Sequence, residues 1–145
     1  SGEIKRGALM ERKDMSAMGV LEAYFEAYRN RDLETIATLC GDDITYVSPE
    51  GLVAEDFEGF SRLIRAEFNS FGVLYEPLLW QSSIEKSGEC LLLWKRGVKL
   101  ARNAAFRRVE IQGSTLLIKS KGIWKIVCIQ YFVPVSFKSL LSKKK

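Results

Sequence analysis

The last long apolar run of the chain is the feature that most constrains its fold. Residues 122–135 read GIWKIVCIQYFVPV, a pattern typical of a β-strand. Successive side chains of a strand point to opposite faces. One face would then carry Trp124, Ile126, Cys128, Gln130 and Phe132, and the other Ile123, Lys125, Val127, Ile129, Tyr131 and Val133. Since both faces are mostly apolar, we predict helices against one and a second sheet or another subunit against the other.

The chain is long enough for one domain with a sizeable core, because it has 145 residues of which 47% are hydrophobic. We expect a domain over residues 16–135, a charged N-terminal extension over 1–15 that is helical or disordered, and a basic tail over 136–145. The net charge is +4, and many of the cations lie near the ends. Solubilising termini are the simpler interpretation, and attraction to nucleic acid or acidic membranes is the alternative. We do not expect a nucleic-acid partner.

The chain contains no histidine, which excludes Ser-His-Asp and Cys-His catalysis. Cys40, Cys90 and Cys128 are scattered in apolar contexts without C-x-x-C spacing, so we predict free thiols, no disulfide framework and no metal site. No cofactor is expected either. No apolar run is long enough to span a bilayer, and no signal segment opens the chain, so we expect a cytoplasmic protein.

The first half of the chain predicts three helices. Apolar residues recur with helical spacing after Ser16, after Asp32 and after Asp56, and each of these three residues is a good N-cap. A hairpin is expected around the turn at 48–51. Three long runs rich in β-branched and aromatic residues follow, at 74–85, 90–100 and 104–119, with a bulge or bend expected at Gln112-Gly113.

This order of elements predicts an α+β domain, in which a strongly curved, mainly antiparallel sheet packs on three N-terminal helices. A curved sheet and a helix layer cannot touch everywhere, so a pocket is expected between them.

Residues 20–51, VLEAYFEAYRNRDLETIATLCGDDITYVSPEG, resemble the opening of the nuclear transport factor 2-like superfamily, notably its SnoaL-like and ketosteroid isomerase-like branches. WKIV at 124–127, followed by Val133-Pro134, is similar to the closing strand of that superfamily. The resemblance implies a cone-shaped, cystatin-like fold. This scaffold hosts isomerases, cyclases, dehydratases, ligand binders and assembly modules, so it does not fix the function.

The same resemblance places Tyr24 where the isomerases keep a hydrogen-bond donor to the substrate oxyanion, although an aromatic residue here is also ordinary core. Ser48 stands in the place of the aspartate that acts as general base, and a hydroxyl cannot abstract a proton near neutrality without a base beside it. Cys128 and Gln130 stand where many relatives carry histidines. No aspartate follows Asp56, so the second acid of the oxyanion site is also missing.

Residues 40–50, CGDDITYVSPE, with GLV and DFEGF after them, also resemble the association domain of calcium/calmodulin-dependent protein kinase II. That resemblance implies a ring-shaped hub. Arg96 stands near one arginine of the hub pocket, whereas Thr115 replaces another.

Twelve residues are predicted to face the pocket. Half of them are aromatic and several carry hydrogen-bonding groups, the profile of a site for an apolar or aromatic small molecule. They are Tyr24, Tyr46, Ser48, Phe60, Ile64, Trp80, Trp94, Arg96, Phe106, Arg108, Cys128 and Gln130. The alternative is that they only fill the core.

Arg96 and Arg108 are expected on neighbouring strands, on the same side as Trp94 and Phe106, where they would anchor a ligand bearing an acid. The alternative is that they lie in solvent or pair with a nearby glutamate. The acidic residues around the hairpin, among them Glu50 and Asp56, could share acid and base roles but more often cap helices and turns.

We therefore predict a small-molecule-binding domain with an aromatic-lined pocket and weak or absent catalysis. The alternatives are an isomerase, cyclase or dehydratase that uses Tyr24, and an oligomerisation hub. A homo-oligomer, either a dimer or a ring, is expected through the outer sheet face, with Leu91, Leu93, Ile129 and Tyr131.

Overall fold

Three helices form where the sequence predicts them. The computed structural model describes residues 12–70, 72–102, 105–134 and 141, without the side chains of residues 74, 102, 105 and 106. The helices are α1 (Ala17–Arg29), α2 (Leu33–Leu39) and α3 (Phe57–Ser70). Ser16 accepts a hydrogen bond from the Gly19 N–H, Asp32 from that of Thr35, and Asp56 from that of Gly59. The predicted N-caps are therefore confirmed.

Six strands form one mixed sheet, which completes the predicted α+β architecture. They are β1 (Cys40–Val47), β2 (Val53–Ala54), β3 (Gly72–Lys86), β4 (Glu89–Arg102), β5 (Ala105–Ser120) and β6 (Ile123–Phe132). Their order is β2-β1-β6-β5-β4-β3. Only β1 and β6 pair in parallel, and every other pair is antiparallel. The long strands curl over the helices as a half-barrel.

The core lies between the inner face of this sheet and the helices. Val20 and Leu21 of α1 are fully buried, as are Leu117 and Ile126 on the sheet. The indole of Trp94 is also buried, and its Nε1 donates to Thr115 Oγ1 at 3.0 Å. The helix stripes and the strand alternation thus meet in one apolar layer.

Gly113 makes room for the Trp94 ring directly across the β4–β5 pair. A Cβ at this position would lie 2.8 Å from both Gln130 O and Trp94 Cε2. The pairing of β4 with β5 runs through Gln112 and Gly113 without a shift, so no bulge forms here, and the alternative of a bend stays a prediction. The glycine instead permits a close side-chain approach.

A bulge does interrupt β6. Leu117 pairs with Ile126 whereas Leu116 pairs with Cys128, which leaves Val127 as the extra residue. Alternation restarts after it, so Ile129 is buried and Gln130 is exposed. The expected faces of β6 are therefore wrong beyond Val127.

Two register shifts also interrupt β3, between Tyr75 and Leu78 and between Leu78 and Trp80. They leave Trp80 opposite Lys95 on the outer face, with 48% of its surface exposed. The predicted inward position of Trp80 is wrong for this reason.

The predicted terminal segments fall mostly on residues 1–11, 135–140 and 142–145, which lie outside the described residues. The division of the chain at 16 and 135 stays a prediction. Among the helices that the structure describes, none is both long and apolar enough to cross a bilayer.

Replacement of Gly113 by alanine is expected to lower the free energy of unfolding by about 1–3 kcal/mol, because the new Cβ overpacks the Trp94 ring. Urea denaturation followed by tryptophan fluorescence measures this change. Gly72→Ala is the matched control, since its Cβ would meet Ala101 Cβ at an ordinary 3.7 Å. Equal stabilities of the two variants would contradict the packing argument.

Candidate functional site

A cavity of about 320 Å³ lies between α3, the turn after β1 and the inner face of the sheet. Most of its wall is aliphatic, and three tyrosine rings complete it. The apolar lining comes from Tyr28, Pro49, Leu52, Leu63, Ala66, Val73, Tyr75, Val98, Leu100, Val109, Ile111, Tyr131 and Val133. Among the described residues, the polar lining comes from Ser48, Glu50, Glu67 and Ser70. A small apolar molecule with one polar end fits such a wall.

Glu67 is the centre of the polar end. Tyr28 and Tyr131 each donate a hydrogen bond to its Oε1 at 2.8 Å, and Tyr46 donates to its Oε2 at 2.8 Å. The hydroxyls of Tyr46 and Tyr131 also lie 2.6 Å apart. Three phenols from α1, β1 and β6 thus converge on one carboxylate of α3. We call these four residues the Glu67 cluster.

Sequence reasoning missed Glu67, although a signal for it was present. Phe57, Phe60, Ile64 and Glu67 follow one another at spacings of three, four and three, so Glu67 belongs to the apolar face of α3. A carboxylate at such a position must find hydrogen-bond donors in the interior. The position of Glu67 on the apolar face of α3, rather than any motif, indicates that it is a site residue.

The hydroxyls of the cluster are donors at physiological pH. Burial raises the pKa of Tyr28, Tyr46 and Tyr131 above the ordinary 10.0, and the neighbouring tyrosines and the Glu67 carboxylate raise it further. Tyr24 and Tyr75 are shifted in the same direction, again mainly by burial. The phenols therefore stay protonated and hold the carboxylate in place.

Two of the predicted pocket residues lie at the site. Tyr46 belongs to the Glu67 cluster, and Ser48 lines the cavity. Ser48 Oγ accepts a hydrogen bond from the Leu52 N–H at 3.1 Å, and the Ser48 N–H donates to Leu52 O at 2.9 Å. Its hydroxyl thus fixes the turn that forms one wall of the cavity.

Four other predicted residues are buried but do not line this cavity. They are Tyr24, Phe60, Ile64 and Trp94. Tyr24 packs against Phe25 with ring centroids 5.7 Å apart, and the Phe60 ring lies edge-on to Tyr46 at 5.1 Å. The Phe60 ring thus packs against Tyr46, a member of the Glu67 cluster.

Arg96 is buried, as predicted for an inward position, but it is already paired. Its Nε and Nη2 donate to Glu76 O at 2.8 and 2.5 Å, and its Nη1 lies 3.1 Å from Glu22 Oε1. The guanidinium also stacks 4.4 Å from the centroid of the Phe25 ring. Arg96 therefore ties β4 to β3 and α1, and it does not line the cavity.

Arg108 does not share the face of Arg96. It pairs with Lys99 across the sheet, is exposed, and forms ion pairs with Glu76 at 2.9 Å and Glu110 at 3.5 Å. The expectation of two arginines on one side is thus wrong, because Arg96 lies opposite Ile111, an odd number of residues from Arg108. The side chain of Phe106 lies outside the described part of the chain.

Cys128 and Gln130 lie on the outer face, since the bulge at Val127 turns them away from the core. Their predicted place in the pocket is wrong, and Ile129 and Tyr131 take it. Burial raises the pKa of the Cys40 thiol to about 12, and that of Cys128 is raised too. The thiols are therefore protonated near neutrality, which makes them poor nucleophiles.

The acidic residues around the hairpin are spread over exposed positions, and Asp56 caps α3. Over residues 12–70, 72–102 and 105–134, no group of three cysteine or acidic side chains is arranged to hold a metal ion.

Comparison with known proteins identifies a family and a fold. The model of the SnoaL-like domain family matches residues 18–136. No curated protein matches the sequence. A ketosteroid isomerase-like protein from Erwinia carotovora atroseptica is 16% identical, with a TM-score of 0.72 over 82% of this chain and 94% of that one.

Two further solved structures share the fold. A nuclear transport factor 2-like superfamily protein from Salmonella enterica serovar Typhimurium has a TM-score of 0.73 at 12% identity, over 81% of this chain and 88% of that one. A protein with a cystatin-like fold from Caulobacter vibrioides has a TM-score of 0.72 at 14% identity, over 86% and 91% of the two chains. Identities this low establish the fold alone.

The buried tyrosines predict a loss of stability in alkali. Above about pH 10 the unfolded chain ionises its tyrosines while the folded chain keeps their protons, so the unfolded state binds fewer protons and the free energy of unfolding falls. This contribution is complete below the unfolded pKa and is lost as pH rises toward the raised folded pKa. Each tyrosine contributes a slope of up to about 1.4 kcal/mol per pH unit. Urea denaturation at several pH values between about 8 and 11 measures the slope.

Tyr46→Phe is the control for this prediction. It should reduce the slope by up to about 1.4 kcal/mol per pH unit, while the Cys40 thiol contributes equally to both proteins. An unchanged slope in Tyr46→Phe would mean that Tyr46 ionises as easily in the folded chain as in the unfolded one.

Proposed function

Since the chain belongs to the SnoaL-like domain family, we propose that it binds a small, largely apolar molecule in the cavity beside the Glu67 cluster. The single observation that carries the proposal is the distribution of polarity in the cavity. An aliphatic wall ends at one hydrogen-bonding cluster. Such a cavity gains free energy by burying apolar ligand surface, and its polar end fixes the orientation of the ligand.

We further propose that catalysis is weak or absent. The predicted donor Tyr24 does not line the cavity, and Ser48 uses its hydroxyl to hold the adjoining turn. An isomerase, cyclase or dehydratase in this cavity would need one of its two lining carboxylates, Glu50 or Glu67, as its base. The oxygens of the Glu67 carboxylate are already engaged by the hydroxyls of Tyr28, Tyr46 and Tyr131.

The cavity is expected to bind N-phenyl-1-naphthylamine, an uncharged apolar dye whose fluorescence rises in apolar surroundings. Ala66→Trp should weaken dye binding at least about tenfold, because the indole fills the cavity from α3. Ala37→Trp is the matched control, since Ala37 is exposed on α2 and does not line the cavity. Absence of dye binding to the unmodified protein, or equal binding by both variants, would contradict the proposal.

We also propose that two copies associate through the outer sheet face. Of the four contact residues expected from the sequence, Leu91 and Leu93 lie on this face, whereas Ile129 and Tyr131 point inward because of the bulge. Around the two leucines the face carries large exposed apolar side chains. They are Trp80, Ile84, Ile118 and Phe132. Large apolar side chains exposed on one sheet face are typical of an interface between copies of a chain.

Light scattering is expected to give at least a dimeric mass, and Leu93→Glu should shift the protein toward the monomer. Ser83→Glu is the control, since it adds the same charge at an exposed site that pairs with Leu92 on the opposite face. A monomeric mass of the unmodified protein would contradict the proposal, and a large closed ring would favour the hub alternative.

A cytoplasmic location is proposed as well. It is supported by the three free cysteines, which persist as thiols in reducing compartments.

A further inference from the structure

We infer that the ligand of this cavity carries a positively charged amine at the end that meets Glu67. This inference rests on the proposed function and adds the chemical class of the ligand. It replaces the sequence-based expectation of an acidic ligand.

The charged side chains among the described residues that line the cavity all have one sign. Glu67 and Glu50 line it, and no lysine or arginine is among the described residues that do so. None of the ion pairs within the described part of the chain involves Glu67. Arg31 acts on Tyr28 electrostatically but does not line the cavity. A ligand carboxylate would therefore meet like charge at both of the carboxylates that line the cavity, whereas an ammonium would neutralise Glu67.

The hydrogen bonds of the cluster leave a place for such a ligand. A carboxylate offers about four acceptor positions, two on each oxygen. Tyr28 and Tyr131 lie at Oε1 and Tyr46 at Oε2, and because the Tyr46 and Tyr131 hydroxyls also lie 2.6 Å apart, the three phenols fill at most three of these positions. One acceptor position of Oε2 remains for a donor that comes from the cavity. A charged N–H donor makes a shorter and stronger bond to a carboxylate than a hydroxyl does.

The walls next to Glu67 also suit a cation. The rings of Tyr28 and Tyr131 line the cavity beside Glu67, whereas the Tyr75 ring already has the Arg96 guanidinium 5.3 Å from its centroid. The faces of aromatic rings attract ammonium groups, most strongly where water is excluded.

Arg96, which was expected to bind an acidic ligand, already has other partners. Arg96 is buried, and it spends three of its N–H groups on Glu76 O and Glu22. Binding of a carboxylate there would require these bonds to break and the core beside Phe25 to open.

Three probes of equal chain length test the inference: n-octylamine, 1-octanol and octanoate, each used near neutral pH to displace N-phenyl-1-naphthylamine from the full chain. The amine is expected to bind at least about tenfold more tightly than the alcohol, and octanoate most weakly. Glu67→Gln should bring the amine and the alcohol within about threefold of each other, because the amide cannot neutralise an ammonium. Glu50→Gln is the matched control and should retain most of the preference.

The outcomes separate this inference from the proposed function. Dye binding with equal affinity for the three probes, or with preference for octanoate, overturns the inference and leaves the apolar cavity in place. A preference for the amine that persists in Glu67→Gln also overturns the inference, since a group other than Glu67 would then recognise the ammonium. If neither dye nor probes bind, the proposed function itself fails. The ranking of probes by the unmodified protein decides the matter even if Glu67→Gln does not fold.

Discussion

The convergence of three phenols on one half-buried carboxylate is the constraint on which the rest of the site depends. A carboxylate removed from water costs several kcal/mol unless donors replace the water. Glu67 receives three phenolic hydroxyls, one each from α1, β1 and β6. The helix that bears it must therefore lie at one height and one rotation against the other three elements. The hydrogen bonds thereby position α3, and the gap that this position leaves beside the sheet is the cavity.

The sheet contributes irregular pairing in two strands. In β3 the register shifts twice between Tyr75 and Trp80, and the peptide oxygen of Glu76, in this interval, accepts two hydrogen bonds from Arg96. The guanidinium in turn reaches Glu22 on α1. A buried arginine is retained only where its donors are paired, and here the pairing closes the edge of a curved sheet onto a helix. The donors of Arg96 are thus paired away from the cavity wall.

The helices and strands of this protein could be predicted from local signals. The sheet face to which each strand side chain points could not. Ser16, Asp32 and Asp56 cap their helices through contacts within three residues, which a sequence displays directly. The bulge in β6 has no such signal, because isoleucine, valine and cysteine around Val127 suit either face. Every pocket assignment beyond it therefore fell on the wrong side. Glu67 could have been found from its heptad position, but its three donors lie 21 to 64 residues away and meet only in the folded chain.

The extra residue in β6 changes what the loss of one residue would do to the two faces of this strand. In a regular strand, loss of one codon exchanges the two faces beyond the gap. Here Ile126 and Ile129 already face inward with two residues between them, so loss of Val127 would restore plain alternation and keep Tyr131 toward Glu67. Related chains can therefore differ in length at this point and keep the same cavity, with only the local twist of the strand altered. An alignment that forbids gaps inside strands would misplace Tyr131 by one position and hide the Glu67 cluster from comparison.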